Sequence, residues 1–166
     1  MTFKKRILVP DATYDSMTAV PLHTFREKGY RAALLDLDNT IAEDRVTEPS
    51  SYTHEIIKDL TDAGFVCCIV SNAKSTRSSD IASVLGVSCV SYANKPSAKG
   101  VFRALELLKV DAKEAVFFGD QIFTDILAAK RAGVFAVLIK PISKKEMFYI
   151  RIKRPFERMV RWIYRF

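Results

Sequence analysis

The sequence predicts an α/β protein with a doubly wound parallel sheet, because short apolar runs alternate with segments of helical periodicity. Each apolar run is nearly continuous, as expected of strands that helices cover on both faces. Several helical segments are followed by glycine, which commonly ends a helix. With 166 residues and 49% hydrophobic residues, the chain is long enough for one domain with a sizeable core.

Five strands and four helices are predicted in alternating order. The strands are RAALLDLD, FVCCIVSN, VSCVSYA, EAVFFGD and VFAVLIKP. The helices lie within SYTHEIIKDLTDAG, SSDIASVLG, SAKGVFRALELLKV and FTDILAAKRAG. Ser97 is expected to cap the third of these helices. Before the first strand, Leu22, Phe25 and Tyr30 suggest a helix that packs on the sheet edge.

The chain divides into three parts: an N-terminal extension over 1–30 that packs on the core, a core over 31–141, and a C-terminal tail over 142–166. The charge is unevenly placed along them. From residue 140 to the end there are nine Lys or Arg and two Asp or Glu, whereas the rest of the chain is balanced. The net charge of +7 therefore indicates what the tail contacts rather than what the core does.

No secretory signal and no apolar run of about 20 residues is found in the sequence. Cys67, Cys68 and Cys89 are odd in number and have neither CxxC spacing nor a nearby histidine cluster. Reduced core cysteines in a cytoplasmic protein are the favoured interpretation.

Polar side chains follow each of the first four predicted strands. In a parallel sheet, ligands bind outside the carboxyl ends of the strands, so these residues are expected to meet there. Asp36 and Asp38 in LLDLDNT point to the same side of a strand and repel each other unless a cation or a shared proton lies between them. The candidates are Asp36, Asp38 and Thr40, then Ser71 and Asn72, then Lys95, then Asp120 and Asp125.

The order DxDxT, Ser-Asn, Lys and GDxxxxD resembles the haloacid dehalogenase superfamily of phosphotransferases, over about residues 30–141. More closely, LLDLDNTI together with GDQIFTDILAAKRAGVFAVLIKPI is similar to the YqeG-type subfamily of class IIIA. That subfamily is in turn similar to the phosphatidylglycerophosphate phosphatases. The resemblance implies a Rossmann-like fold and a phosphomonoester hydrolase. The response-regulator receiver fold is excluded, because its lysine follows the other acidic and hydroxyl residues rather than preceding the last aspartate.

The resemblance also implies roles for the acidic residues. Asp36 would attack phosphorus and form an aspartyl-phosphate, and Asp38 would serve as acid and then base. Mg²⁺ would be held by the Asp36 carboxylate, the Asp38 backbone carbonyl and Asp120, with Asp125 in support. For Asp125 the plainer alternative is an acidic residue that stabilises the start of the following helix.

The remaining residues would bind the substrate phosphate: Thr40, Ser71, Asn72 and Lys95. Thr40 and Ser71 keep the alternative of ordinary turn residues. Lys99 is an alternative to Lys95, which is preferred because it precedes Pro96 as in the family pattern.

The intervals between these motifs leave no room for a cap domain, so an open site is expected. Such a site favours a phosphate presented by a large partner. The resemblance, together with the basic tail, implies phosphatidylglycerophosphate as the favoured substrate. The first alternative is a soluble, protein or nucleic-acid phosphate. The second is a membrane- or partner-binding module with a vestigial catalytic site.

The tail KRPFERMVRWIYRF predicts a basic amphipathic helix with Pro155 at its first position. Such a helix suits an anionic membrane surface, at about 1 kcal/mol per basic residue. Packing on the domain or on a second copy is the alternative, and nucleic acid is the least favoured partner. The apolar stripe is Phe156, Met159, Val160, Ile163 and Phe166; the arginines are Arg154, Arg158, Arg161 and Arg165; Trp162 and Tyr164 add amphipathic rings.

Overall fold

A six-stranded parallel sheet is the centre of the structure, a computed structural model that describes residues 7–142 and 148–164. The strand order is β1-β6-β5-β2-β3-β4, and every neighbouring pair is parallel. The predicted fold class is therefore confirmed. The strands are β1 Ala12–Tyr14, β2 Ala32–Leu35, β3 Val66–Val70, β4 Ser88–Val90, β5 Ala115–Gly119 and β6 Phe135–Ile139.

Helices cover both faces of this sheet. The core on one face receives side chains from α1, α2 and α3, and the core on the other receives them from α4, α5 and α6. Short 3₁₀ turns lie at Met17–Ala19 and Ala112–Glu114, and a π-helical turn at Ile122–Ile126 leads into α5. The helices are α1 Leu22–Glu27, α2 Ser51–Asp62, α3 Arg77–Leu85, α4 Lys99–Leu108, α5 Leu127–Ala132 and α6 Phe148–Tyr164.

The apolar run of β2 explains why it lies at the middle of the sheet. Leu35 packs with the core that contains Ile56 of α2, and Leu34 packs with the core that contains Val101 of α4. All four residues of β2 are fully buried. Complete burial of a leucine side chain stabilises a fold by about 1.5–3 kcal/mol, so a continuous apolar strand favours a position with helices on both sides.

The N-terminal part contributes a strand that the sequence did not predict. In β1, Tyr14 pairs with Ile139 at the sheet edge. Five strands were predicted and the structure has six, because β1 is three residues long, lies between two aspartates, and so has no apolar run to mark it. The helix expected before the first core strand is α1, whose Phe25 ring lies 6.3 Å from the Phe118 ring and 5.7 Å from the Phe135 ring.

The C-terminal helix begins earlier than predicted. Pro155 lies inside α6 rather than at its first position, so the helix continues through it at the cost of one backbone hydrogen bond. Glu157 and Val160 are buried, whereas Phe156 and Trp162 are exposed. Met159 and Ile163 of the predicted stripe are also exposed, and Arg165 and Phe166 lie outside the described residues. None of the helices in the described part of the chain has the length and apolar character that a membrane span requires.

The sheet changes direction between β2 and β5, and this switch point is where a ligand is expected in such folds. From β2 the chain moves outward to β3 and β4, then returns to β5 on the other side. Within residues 36–114, the connections between strands are made of α2, α3, α4, one short turn and loops. No cap domain lies in that described range, so the switch point stays accessible.

Close packing of α4 against the segment after β4 depends on Gly100. A Cβ atom at this position would lie 2.5 Å from the Ala93 carbonyl oxygen and 2.6 Å from the Ala93 Cβ. The helix begins one residue later than predicted, with Ala98 in the capping position. Ser97 Oγ instead accepts a hydrogen bond from the Lys99 amide at 3.3 Å.

We expect Gly100→Ala to destabilise the protein. In an ordinary helix this change stabilises by up to about 1 kcal/mol, but here the added methyl group meets backbone atoms and should cost about 1–3 kcal/mol. Thermal or urea unfolding would measure the change. Lys99→Ala, at an exposed neighbour, is the control and should stay within about 0.5 kcal/mol. A stabilised Gly100→Ala protein would contradict the close packing.

Candidate active site

A cleft of about 840 Å³ opens at the carboxyl end of the sheet. It is lined by six of the eight residues that the sequence predicted for the site: Asp36, Asp38, Ser71, Asn72, Lys95 and Asp125. The other two, Thr40 and Asp120, are fully buried and do not line the cleft. The structure therefore brings residues from four separate strand ends to one place.

The register of β2 and β5 places two of the carboxylates side by side. Leu35 pairs with Phe118, and the Asp36 amide donates to the Phe118 carbonyl oxygen at 2.9 Å. Asp36 directly follows the last residue of β2, and Asp120 directly follows the last residue of β5. The pairing of these two strands therefore places Asp36 beside Asp120. This arrangement depends only on strand pairing, so it is a rigid part of the site.

Lys95 lies between two carboxylates in the interior. Its Nζ is 2.5 Å from Asp36 Oδ1 and 2.8 Å from Asp125 Oδ1, and the lysine side chain is 2% exposed. Nζ also lies 5.4 Å from the centre of the Phe117 ring. Burial alone would lower the pKa of Lys95, but the negative charges of Asp125 and Asp36 outweigh burial and raise that pKa above its ordinary value. Lys95 is therefore a permanent cation.

Lys95 reaches this position because the chain doubles back after β4. The Ala93 amide donates to the Ser71 carbonyl oxygen at 2.9 Å. The Asn72 side chain then holds the lysine backbone on both sides: Oδ1 accepts from the Lys95 amide at 2.7 Å, and Nδ2 donates to the Lys95 carbonyl oxygen at 2.9 Å. The Lys95–Pro96 peptide bond is cis. Lys99, the alternative considered from sequence, is exposed on α4.

Three buried carboxylates form a cluster suited to a cation. One oxygen from each of Asp36, Asp120 and Asp125 lies within 4.8 Å of the others. All three side chains are buried, and their combined charge exceeds the single positive charge of Lys95. Hard oxygen donors with excess negative charge are the ligands that a divalent cation such as Mg²⁺ takes in proteins. The residues present therefore fit a hard divalent cation.

The position of Asp125 depends on a tight turn after β5. Its Oδ2 accepts from the Gln121 amide at 3.0 Å, so the carboxylate also stabilises the start of the π-helical turn, as the alternative interpretation required. A Cβ atom at position 119 would lie 2.4 Å from the Asp125 Cβ. Glycine is needed there, because any larger residue would displace the Asp125 side chain.

The pKa of Asp36 is raised to about 7. Burial is the main cause, Lys95 opposes it, and Asp125 and Asp38 add repulsion. The folded protein therefore binds a proton at Asp36 more tightly than the unfolded chain does. A cation at the cluster would replace that proton, because it relieves the same repulsion.

The Asp38 carboxylate is bound by two residues that the sequence did not predict for the site. Its Oδ2 lies 2.6 Å from Arg77 Nη2, and its Oδ1 accepts from the Arg45 amide at 3.1 Å. Arg77 also donates to the Val46 carbonyl oxygen at 3.0 Å. The only sequence signal for Arg77 is its place five residues after Asn72; in the structure it is the first residue of α3.

The predicted phosphate-binding hydroxyls already have partners within the site. Thr40 Oγ1 donates to Asp36 Oδ2 at 3.3 Å, and Ser71 Oγ accepts from the Ala73 amide at 3.1 Å. Ser71 lies in the cleft wall, where its hydroxyl hydrogen can still be donated. Thr40 orients Asp36, and the Asn72 side chain holds Lys95, so in this conformation both act on site residues.

The chain belongs to the haloacid dehalogenase-like hydrolase family. The model of that family matches residues 16–133, which include every residue of the site. The predicted membership of this superfamily and the prediction of an enzyme are therefore confirmed.

A more specific likeness is to the probable phosphatase YqeG of Bacillus subtilis (strain 168). The two chains are 26% identical over 156 residues, which cover 94% of this chain and 91% of that protein.

Solved structures show the same fold. The cobalt-bound deoxy-D-mannose-octulosonate 8-phosphate phosphatase of Haemophilus influenzae has a TM-score of 0.54 and 14% identity, over 85% of this chain and 90% of that one. The HAD phosphatase of Thermococcus onnurineus has a TM-score of 0.53 and 16% identity, over 76% of this chain and 97% of that one.

We expect the stability of the metal-free protein to reveal the raised pKa of Asp36. Stability from a raised carboxyl pKa is present below the ordinary value of 3.8 and is lost as pH rises through about 7. In EDTA, the Tm of Asp36→Asn minus that of wild type should therefore increase between pH 5 and pH 8. Differential scanning fluorimetry would measure both. A constant difference would contradict the assignment.

We expect Asn72→Ala to lower activity by on the order of 10- to 100-fold, because the Lys95 backbone loses both hydrogen bonds to the Asn72 side chain. The assay is phosphate release from any substrate that the wild type hydrolyses. Ser79→Ala is the matched control, since it also removes a side-chain hydrogen bond to backbone, on the exposed face of α3. Equal activity in the two variants would show that Lys95 does not need the Asn72 side chain.

Proposed function

We propose that the protein is a Mg²⁺-dependent phosphatase that acts on a phosphomonoester through Asp36, with phosphatidylglycerophosphate as its favoured substrate. The observation that carries the proposal is the position of Asp36. Its buried carboxylate contacts Lys95, belongs to the cluster with Asp120 and Asp125, and lines an open cleft. Such a carboxylate can attack only a group that reaches it from the cleft.

In the first step, an Asp36 carboxylate oxygen attacks phosphorus and the bond from phosphorus to the leaving oxygen breaks. The leaving oxygen takes a proton from the Asp38 carboxyl group and departs as an alcohol. Thr40 donates to the second Asp36 oxygen and so fixes which oxygen attacks. Lys95, charged throughout, lies beside the attacking oxygen and can balance negative charge on the phosphoryl group.

In the second step, water attacks phosphorus on the side opposite Asp36. Asp38, now a carboxylate, takes a proton from that water, and the bond from phosphorus to the Asp36 oxygen breaks. Inorganic phosphate leaves and both aspartates return to their starting states. Before the first step Asp38 must leave Arg77 and take up a proton from water; binding of a substrate anion at Arg77 would free the Asp38 carboxylate for this.

Mg²⁺ would be held by Asp36, Asp120 and Asp125, and there it would supply positive charge to the phosphoryl oxygens. Within the chain itself, Lys95 supplies a positive charge beside Asp36. Ser71, in the cleft wall, can donate its hydroxyl hydrogen to a phosphoryl oxygen.

Two features support a substrate with a second anionic group at a surface. Arg45, Lys74 and Arg77 all line the cleft, where they can bind a phosphodiester beside the phosphate that is removed. On α6, Trp162 is 81% exposed and Phe156 is 56% exposed, on a helix that also carries arginines. Aromatic and basic side chains together suit the headgroup region of an anionic membrane.

The proposed enzyme is cytoplasmic, with α6 bound at a membrane surface, and the exposed aromatic and basic side chains of α6 support that contact. The same chemistry would serve a soluble phosphomonoester, which diffuses into the open cleft without a membrane. The two cases differ in whether α6 matters for turnover.

We expect phosphate release from phosphatidylglycerophosphate in mixed micelles with Mg²⁺, and its loss in Asp36→Asn. A panel of soluble phosphomonoesters is assayed beside it. Release from the lipid alone would support the proposed substrate, whereas release only from soluble esters would keep the chemistry and reject the lipid. No phosphate release from any substrate, by a wild-type protein that is folded, would reject the proposed phosphatase activity.

Trp162→Ala, in the same experiment, tests membrane contact through α6 separately from the chemistry at Asp36. This exposed side chain has no part in the cluster, so turnover of a soluble ester should be unchanged. Turnover of the micellar lipid should fall because KM rises, while kcat stays unchanged. An unchanged KM for the lipid would argue against membrane contact through α6.

A further inference from the structure

The described part of α6 contacts the core through a buried carboxylate as well as through apolar packing. Glu157 is 3% exposed, and its Oε1 accepts from the Ile122 amide at 2.9 Å. Val160, one turn further on, packs in the core beside α4 and α5. Burying a carboxylate is costly unless it is hydrogen-bonded, so this position is a specific one.

The residue that Glu157 contacts begins the π-helical turn that carries Asp125. The amides at the start of a helix have no partner within the helix. Here two successive amides bind carboxylates: Gln121 donates to Asp125, and Ile122 donates to Glu157. One carboxylate belongs to the cluster and the other comes from α6, so the turn is held from both sides.

A small movement of this turn would change the cluster. Asp125 Oδ1 lies 2.8 Å from Lys95 Nζ, and the space beside Gly119 leaves the Asp125 side chain no room to shift. π-Helical turns are rare and occur frequently at functional sites. The π-helical geometry is less favourable than the α-helical one. A hydrogen bond from outside the turn to its first residue can therefore stabilise the π-helical geometry.

We propose that Glu157 is a positioning residue of the active site, which fixes the turn Ile122–Ile126 and thereby the position of Asp125 in the cation-binding cluster. On this proposal α6 is part of the site. The proposal rests on the proposed function only in that the cluster binds Mg²⁺.

The test is Mg²⁺ affinity, measured by isothermal titration calorimetry on the full chain without substrate. We expect Glu157→Ala to weaken Mg²⁺ binding by on the order of 10- to 100-fold, as for other residues that orient metal ligands. Glu157→Gln keeps an oxygen that can accept from Ile122, so its affinity should stay within about threefold of wild type. An equal loss in both variants would overturn the hydrogen-bond role.

Val160→Ala is the matched control for loosened packing of the same helix. It should lower the Tm in EDTA by removing buried methyl groups, with Mg²⁺ affinity within about threefold of wild type. If it weakened Mg²⁺ binding as much as Glu157→Ala, the role of α6 would be general packing and the proposal would be wrong. If Glu157→Ala does not fold, Glu157→Asp takes its place, because a side chain one carbon shorter loses the Ile122 contact and should show the same loss of Mg²⁺ affinity.

Amide hydrogen exchange gives a second readout that does not depend on metal. In EDTA, exchange at Ile122 should accelerate at least tenfold in Glu157→Ala and stay near wild type in Glu157→Gln. Unchanged protection at Ile122 would overturn the proposal. Failure of phosphate release from every substrate, with Mg²⁺ bound normally by the wild type, would reject the proposed phosphatase activity and leave this inference intact.

Discussion

The buried charge cluster around Lys95 is the constraint that the rest of the structure serves. One lysine and two carboxylates in direct contact, with Asp120 beside them, lie largely buried at the carboxyl end of the sheet. Charges in such a place are costly unless every one has a close partner. The fold supplies those partners by strand register, which fixes Asp36 next to β5, and by close backbone approach at Gly119 and Gly100.

Lys95 shows how far the chain goes to meet this constraint. It follows β4, the outermost strand on its side, yet its ammonium group lies at the end of β2. The chain returns across β3 through the Ser71–Ala93 hydrogen bond, and Asn72 fixes the lysine backbone. Lys95 therefore has a structural task besides the phosphate-binding task predicted from the sequence. Its backbone atoms bind Asn72 and fix the returning chain, whereas its ammonium group balances the buried carboxylates.

Much of the fold and of the site could be predicted from the sequence, because both depend on patterns of residues that are close together in the chain. Continuous apolar runs predict central strands, and polar residues directly after them must lie at one edge of a parallel sheet. What could not be predicted depends on distant partners. Nothing near Glu157 indicates that it meets Ile122, 35 positions earlier in the chain. Likewise, Arg77 is one of many basic residues until folding brings it to Asp38. β1 is too short to carry a pattern, although it completes the sheet.

In the proposed mechanism, the open mouth of the cleft decides which acceptor takes the phosphoryl group from Asp36. Among the described residues, no domain closes over Asp36, and the cleft wall is rich in charged side chains that hold solvent. Bulk water then competes with every alcohol that enters, and it is present in far greater number. Proteins that pass phosphate from one hydroxyl to another need to exclude that competitor. The shape of this cleft consequently favours irreversible removal of phosphate over its exchange between acceptors, and gives the reaction a direction.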